Sequence, residues 1–139
     1  SGHPLATASI VASIGIFKEE KIIEHARMLG TDVIGPELAK LAAKHPSVGE
    51  VRGIGVFWCI ELVKNRKTRE PLVPFNASGP AAKPMVELMT ACKAGGVWPF
   101  AHFNRLQVTP PCTTTPDEIR EGLAAIDKAL EVADRHCEA

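Results

Sequence analysis

The sequence predicts an α+β fold, in which a mainly antiparallel sheet carries helices on one face. Three observations support this prediction. The stretch from Val48 to Val63 is rich in the β-branched and aromatic residues that favour strands. The end of the chain combines a helix-capping signal at Thr115 with apolar residues at helical spacing. The predicted elements follow the order of two helices and then β-β-α-β-β-α, which is typical of a small α+β domain.

The first predicted element is a helix within residues 1–17, which contain no Lys, Arg, Asp or Glu. Pro4 suits the first turn of a helix, and the apolar residues that follow recur near helical spacing. The segment lacks the basic start of a signal peptide and is shorter than the ~20 residues that span a bilayer. We therefore expect a helix that is apolar on all sides and buried inside a body larger than itself.

A second, amphipathic helix is predicted from Lys18 to Pro46. Its apolar stripe begins with Ile22, Ala26, Leu29 and Val33. Gly35-Pro36 predicts a kink or a break, because proline removes one backbone hydrogen bond and disfavours helical geometry in the residue before it. His45-Pro46 should end the helix. A bent helix of this length is expected to connect two lobes.

The strand that contains residues 56–63 has two faces, and only Glu61 places a charge on the second face. A sheet with one face in water carries polar residues at nearly every second position. We therefore expect both faces to be covered, one by helices of this chain and the other by something else. Gly53 and Gly55 should mark a bulge or a close backbone approach, since a dinucleotide-binding motif needs a third glycine where Trp58 stands.

Proline and glycine delimit the elements in the middle of the chain. Lys64 to Pro74 is a basic connection that could contact phosphate or RNA, but its lack of aromatic residues favours a solvated hairpin tip. A helix should follow Ser78-Gly79-Pro80 and end at Gly95-Gly96. Two short strands are then predicted at Val97–Phe100 and Leu106–Thr109.

The last helix carries the strongest local signals. Thr115 is a preferred N-cap residue, Pro116 suits the first turn, and Glu118 completes a capping box. Its predicted buried stripe consists of Ile119, Leu123, Ile126 and Leu130.

Composition excludes several classes of partner. The 139 residues suit one domain, and sixteen basic residues balance sixteen acidic ones, so neither nucleic acid nor a membrane is an expected partner. The four cysteines lack metal-ligand spacing, and reduced thiols in a cytoplasmic protein are expected. The chain begins with Ser1 rather than Met, which we interpret as the start of an excised or truncated piece.

The chain contains no nucleophile elbow, phosphate-binding glycine loop, H-E-x-x-H motif or paired-carboxylate signature. The residues alone therefore predict neither a metal site nor a catalytic group. His102 lies in a predicted turn and could line a cleft. His3 precedes a helix N-terminus, where free N–H groups and the helix dipole favour anions, and local packing is an equally open role for it.

Several segments, in the same order, resemble the C-terminal part of class III aminotransferases, which are pyridoxal-phosphate enzymes of fold type I. The likeness extends over essentially the whole chain. Its segments are Ser1–Ala6, His45-Pro46, Val48–Gly53 with Gly55, Glu61–Val63, and the stretch from Val108 to Ile119.

The resemblance implies that residues 1–17 are the last helix of the large cofactor domain, 18–46 the connecting helix, and 47–139 the small C-terminal domain. It implies a homodimeric parent enzyme that uses pyridoxal 5'-phosphate to move an amino group from an amino acid or amine to a keto acid or aldehyde. The family's Schiff-base lysine lies upstream of Ser1, so no catalytic residue is assigned here. The isolated chain should be inactive. Near the cofactor phosphate, the resemblance places Ser1, Gly2 and His3.

One departure from the family pattern concerns the substrate. Many members hold the substrate carboxylate with an arginine a few residues before two prolines, and the matching position here is Gln107, which cannot form a charge-assisted fork. Arg105 lies on the same face of the predicted strand and could substitute, although an ordinary surface charge is equally open. The departure leaves ω-amino acids and simple amines open as donors.

A second hypothesis comes from a different functional class. The chain could be a stand-alone α+β interaction module that binds a protein through the uncovered face of its sheet, without catalysis. An apolar first helix argues against it, because a free module would expose that helix and aggregate.

Overall fold

The structure is a computed structural model that describes residues 2–138. Its helices are α1 (Pro4–Glu19), α2 (Ile22–Met28), α3 (Gly35–Lys44), α4 (Lys83–Ala94) and α5 (Pro116–Asp134). Its strands are β1 (Val48–Ile54), β2 (Phe57–Asn65), β3 (Glu70–Pro71), β4 (Phe100–His102) and β5 (Arg105–Val108). A π-helical segment (Leu29–Ile34) joins α2 to α3, and a 3₁₀ turn (Gly79–Ala82) precedes α4. Within residues 2–138, no helix combines the length and apolar character that a bilayer crossing requires.

The sheet has the strand order β1-β2-β5-β4, and every pairing in it is antiparallel. The short β3 also pairs with β2, beyond the end of the β2–β5 ladder. The α+β prediction is therefore confirmed. We call the side that packs on the helices the inner face; its residues include Ile60, Leu62 and Leu106, which are fully buried. They meet core residues of α3, α4, α5 and the π-helical segment.

We call the opposite side of the sheet the open face. Cross-strand register places Ile54 beside Phe57, and Phe100 beside Gln107, on this side. Ile54 is 83% exposed, Phe57 61% and Phe100 59%. In the described part of the chain, helices cover only the inner face, and the covering of the open face by another body remains a prediction.

The connecting helix continues through Gly35-Pro36 instead of breaking there. The N–H of Gly35 donates to the oxygen of Gly30, five residues back, so the helix adopts π geometry directly before the proline. Helix α1 ends at Glu19, two residues beyond the predicted boundary, and Lys21 follows in the left-handed conformation with φ 52°. The break in the helical path therefore lies at Lys21, and His45 ends α3 as predicted.

The predicted close approach at Gly55 is present. Gly30 packs so tightly against Gly55 that an added Cβ would lie 2.4 Å from its carbonyl oxygen. The indole Nε1 of Trp58 donates to the same oxygen at 2.7 Å. The tip of the β1–β2 hairpin thus docks on the π-helical segment through two glycines, which fixes the sheet against the connecting helix.

The last two strands differ from their predicted bounds. Strand β4 begins at Phe100, because Pro99 has no N–H to donate to a ladder. Strand β5 begins at Arg105, one residue early, and Phe103-Asn104 form a two-residue hairpin turn in which Phe103 has φ 55°. The earlier start of β5 puts Arg105 inside the sheet and not in a loop.

The capping box of α5 predicts how stability depends on pH. The N–H of Thr115 donates to Glu118 at 2.8 Å, and this bond lowers the pKa of Glu118 below its ordinary 4.5. A carboxyl whose pKa falls on folding stabilises the fold above its unfolded pKa, and that contribution is lost as pH falls through the folded value. The contribution of Glu118 to the urea midpoint of unfolding should therefore be constant above about pH 5 and should decrease as the pH is lowered below 4.5. Glu118→Gln should flatten the acid limb, and an unchanged limb would contradict this role.

Candidate functional site

The open face of the sheet carries both residues that the sequence suggested for substrate binding. Strand β5 pairs Arg105 with Glu61 of β2 and with His102 of β4. It pairs Gln107 with Cys59 and Phe100 in the same way. Because directly paired residues share a face, Arg105 and Gln107 lie side by side on the open face, facing away from the core.

Ion pairs organise the charges of the open face. Arg52 Nη1 lies 2.8 Å from Glu61 Oε2, and this hydrogen bond raises the pKa of Arg52. Arg69 pairs with Glu50 at 3.0 Å. Within residues 2–138, no carboxylate oxygen lies within 4.0 Å of the Arg105 guanidinium.

The guanidinium of Arg105 is held by its neighbours on the β4–β5 hairpin. Its Nη2 donates to Nδ1 of His102 at 3.3 Å, and its central carbon lies 5.8 Å from the ring centre of Phe103. Because no carboxylate of the described residues contacts it, this guanidinium keeps its charge available to an anion. Between the two arginines lies Cys59, whose pKa is raised because burial outweighs the attraction of Arg52 and Arg105.

The start of α1 is the second candidate region. His3 is the N-cap residue and makes no side-chain capping bond, and the first turn carries no acidic side chain. Pro4 has no N–H, so Leu5 and Ala6 present the free donors of this turn. Gly2 precedes them with φ 83°, a conformation that favours glycine. These features fit a phosphate group; Ser1, also predicted to lie near it, is outside the described residues.

Among residues 2–138, the two candidate regions are not brought together. Helix α1 contacts α2 at its C-terminal end, and His3 lies at the opposite end, about 24 Å away along a 16-residue helix. No residue of α1 is buried. The large side chains that it exposes are Leu5, Ile10, Val11, Ile14, Ile16 and Phe17. The burial predicted for this helix is therefore not provided by the described part of the chain.

A groove lies between α4 and the β4 edge, and His102, which the sequence suggested could line a cleft, is one of its lining residues. The groove has a volume of about 850 Å³ and includes Met85, Met89 and Trp98 among its walls. At one end, the ring of Phe103 lies 4.3 Å from Phe75 and 3.8 Å from His102. Trp98, Phe100 and Phe103 come from one segment, but Phe75 and the residues of α4 are distant in sequence, so the extent of the groove could not be read from a local pattern.

The remaining histidines have structural partners. His25 Nε2 lies 3.0 Å from the oxygen of Thr114, and His136 Nε2 lies 2.8 Å from Glu87. His45 is the C-cap residue of α3, as predicted, but it is buried and not exposed. Its side chain is 1% exposed, with Nδ1 at 2.7 Å from Asp134 and Nε2 at 2.7 Å from Asp127.

Comparison with known proteins places this geometry in a family. The model of the family described as aminotransferase class-III matches residues 1–130. The taurine–pyruvate aminotransferase of Bilophila wadsworthia is 36% identical over 135 residues, covering 92% of this chain and 28% of that protein. The putrescine–pyruvate aminotransferase of Pseudomonas aeruginosa is 34% identical over 131 residues, covering 94% and 27%.

Solved structures agree. The taurine:2-oxoglutarate aminotransferase of Bifidobacterium kashiwanohense, in complex with PLP and glutamate, superposes with a TM-score of 0.86 and 30% identity. The match covers 96% of this chain and 29% of that one. Against the curated relatives, the chain spans only 25% to 30% of their length. The matched residues and the shared fold lead to one assignment: this chain belongs to the class III aminotransferase family.

Proposed function

We propose that this chain is the C-terminal part of a pyridoxal-phosphate-dependent transaminase that moves an amino group from an amino acid or amine to a keto acid or aldehyde. The observation that carries the proposal is α1, whose 16 residues include none that is buried. An apolar helix left bare by its own chain, in a family of longer proteins, is explained by packing against a cofactor domain. Residues 1–17 then belong to that domain, 18–46 form the connecting helix, and 47–139 form the small domain.

The cofactor supplies the electron sink of amino transfer when it is bound. This chain's contribution is binding: Ser1, Gly2 and His3, with the free N–H groups of Leu5 and Ala6, hold the phosphate at the positive end of the α1 dipole. The first turn of α1 carries no acidic side chain that would repel it. The parent enzyme is proposed to be a cytoplasmic homodimer, consistent with four free cysteines.

Substrate recognition is assigned to the open face of the sheet. Arg105 offers a guanidinium without a carboxylate partner among the described residues and binds a carboxylate of the donor or acceptor. Gln107, beside it, adds an uncharged amide that can donate to a carboxylate or accept from an ammonium group. An amide in place of a second charge suits ω-amino acids and simple amines.

A second chemistry is favoured by one relative. A Caenorhabditis elegans protein named ethanolamine-phosphate phospho-lyase homolog 1 is 31% identical over 137 residues, covering 96% of this chain and 27% of that protein. The guanidinium of Arg105 can bind a phosphate group of the substrate as well as a carboxylate. If the parent enzyme released inorganic phosphate from its substrate with no keto acid added as amino acceptor, this chemistry would be identified.

The test compares this chain with the longer polypeptide that carries a lysine-bearing cofactor domain. The longer protein should transfer amino groups from taurine, putrescine or γ-aminobutyrate to pyruvate, and borohydride should fix pyridoxal phosphate to one lysine, as seen by mass spectrometry. The chain alone should show neither. A stoichiometric adduct at one specific lysine of this chain, or the finding that its gene encodes no such domain, would overturn the proposal and favour a free interaction module.

A further inference from the structure

The register of the open face sets up a competition for Arg105. Glu61 of β2 lies directly opposite Arg105 of β5. Residues in that relation have Cβ atoms about 5 Å apart, and opposite charges there attract. The carboxylate of Glu61 is nevertheless bound to Arg52, with Nη1 to Oε2 at 2.8 Å. Arg105 turns instead to the ring nitrogen of His102.

The ion pairs of the open face leave one arginine side chain without a carboxylate partner among the described residues. Two acidic residues, Glu50 and Glu61, share the face and its border with three arginines, Arg52, Arg69 and Arg105. Arg69 forms an ion pair with Glu50, and Arg52 forms an ion pair with Glu61. The second oxygen contact of Arg52, to Glu50 at 3.6 Å, holds it between the two carboxylates. The surplus positive charge therefore resides on Arg105.

We propose that Arg52 is a positioning residue for anion binding: by holding Glu61, it keeps the guanidinium of Arg105 free to bind the carboxylate of the substrate. The inference rests on the proposed function, since it assigns that carboxylate to Arg105. Removing Arg52 frees Glu61, which then pairs with Arg105 across the strands and competes with the substrate anion. Arg52 itself contacts no substrate in this scheme.

The experiment titrates the longer polypeptide that carries the cofactor domain, stripped of cofactor, with pyruvate and follows the Nε–Hε signal of Arg105 by NMR. Arg52→Met should weaken pyruvate binding at Arg105 about fivefold, the effect of a competing exposed ion pair. It should also shift the Arg105 signal before pyruvate is added, because Glu61 has become its partner. The double variant Arg52→Met/Glu61→Gln should restore binding to within about twofold.

Arg69→Met is the matched control, because it removes one positive charge from the same surface and frees Glu50, one strand further from Arg105. It should leave pyruvate binding unchanged. If Arg69→Met weakened pyruvate binding as much as Arg52→Met does, the effect would come from the overall charge of the surface, and the inference would be overturned. Glu61→Gln alone should bind pyruvate at least as tightly as the unmodified chain, which keeps the inference testable if Arg52→Met fails to fold.

Failure of the inference differs from failure of the proposed function. No pyruvate-dependent shift at Arg105, or a double variant as weak as Arg52→Met, overturns the inference even if the longer enzyme transfers amino groups. If the longer protein shows no transfer but the variants behave as expected, Arg52 still positions an anion site, and only the assigned reaction is wrong.

Discussion

An alanine at position 30 is expected to lower the free energy of unfolding by about 3 kcal/mol, the upper end of the usual cost of overpacking. Its Cβ would lie 2.4 Å from the oxygen and 2.8 Å from the Cα of Gly55. Both are backbone atoms, so no rotamer change can relieve the overlap. The β1–β2 hairpin must then move away from the connecting helix, together with Trp58, which donates to the same oxygen. Urea unfolding followed by circular dichroism measures the loss.

Gly122→Ala is the control for this prediction. Gly122 lies within α5, and the nearest atom to an added Cβ is Cγ1 of Val97 at 3.7 Å, an ordinary contact. An alanine there should raise the free energy of unfolding by up to about 1 kcal/mol, because glycine is a poor helix residue. A loss below 1 kcal/mol for Gly30→Ala would show that the hairpin does not press on the helix at this point.

Removal of the Asp134 carboxylate should cost a similar amount, about 3 kcal/mol, because it leaves buried hydrogen-bond donors without an acceptor. Its Oδ2 accepts from Nδ1 of His45 at 2.7 Å, and its Oδ1 accepts from the N and Oγ of Ser47 at 3.1 and 2.6 Å. His45 is 1% and Ser47 0% exposed. Asp134→Ala therefore leaves three buried donors without their acceptor. The cost stays below the sum for three separate donors because the Asp134 side chain is itself 23% exposed, so water can partly replace the lost acceptor.

Two variants define this effect. Asp134→Asn keeps an acceptor for Ser47 and should lose less than Asp134→Ala in urea unfolding. Asp117→Ala removes a carboxylate that is 95% exposed and paired with Arg120, so it should change stability by less than about 0.5 kcal/mol. Equal effects of Asp134→Ala and Asp117→Ala would contradict a structural role for the buried network.

The same network contributes to acid stability. Burial alone would raise the pKa of Asp127, but hydrogen bonds from Lys44 and His45 outweigh it and hold that pKa below its ordinary 3.8. Like Glu118, Asp127 stabilises the fold above its unfolded pKa, and its contribution disappears as pH falls through the lowered value. Both carboxyls therefore act in the same direction on the acid limb.

Elements set by local chemistry were predictable from the sequence. The capping box at Thr115 depends on residues three apart, and the shared face of Arg105 and Gln107 depends only on the two-residue period of a strand. The strand predicted at Val97–Phe100 starts only at Phe100, because Pro99 has no N–H to donate to the strand ladder.

Features that need distant partners were not predictable. His45 is buried because α5 places Asp127 and Asp134 against it, 82 and 89 residues away in sequence. The ion pair between Arg52 and Glu61 requires the β1–β2 register, in which a bulge lies between Val48 and Glu50. No sequence period signals such a bulge, so the charges of the open face could not be paired in advance.

The exposure of helix α1, which ends just before the left-handed Lys21, has a consequence for folding. A lone helix of 16 residues is marginally stable in water, and among the described residues α1 contacts little besides α2. Under the proposed function, α1 is part of the cofactor domain, so its order would depend on packing against the rest of that domain. The phosphate-binding turn at its start would then form only in the presence of that domain, and binding of the cofactor would be coupled to the folding of α1.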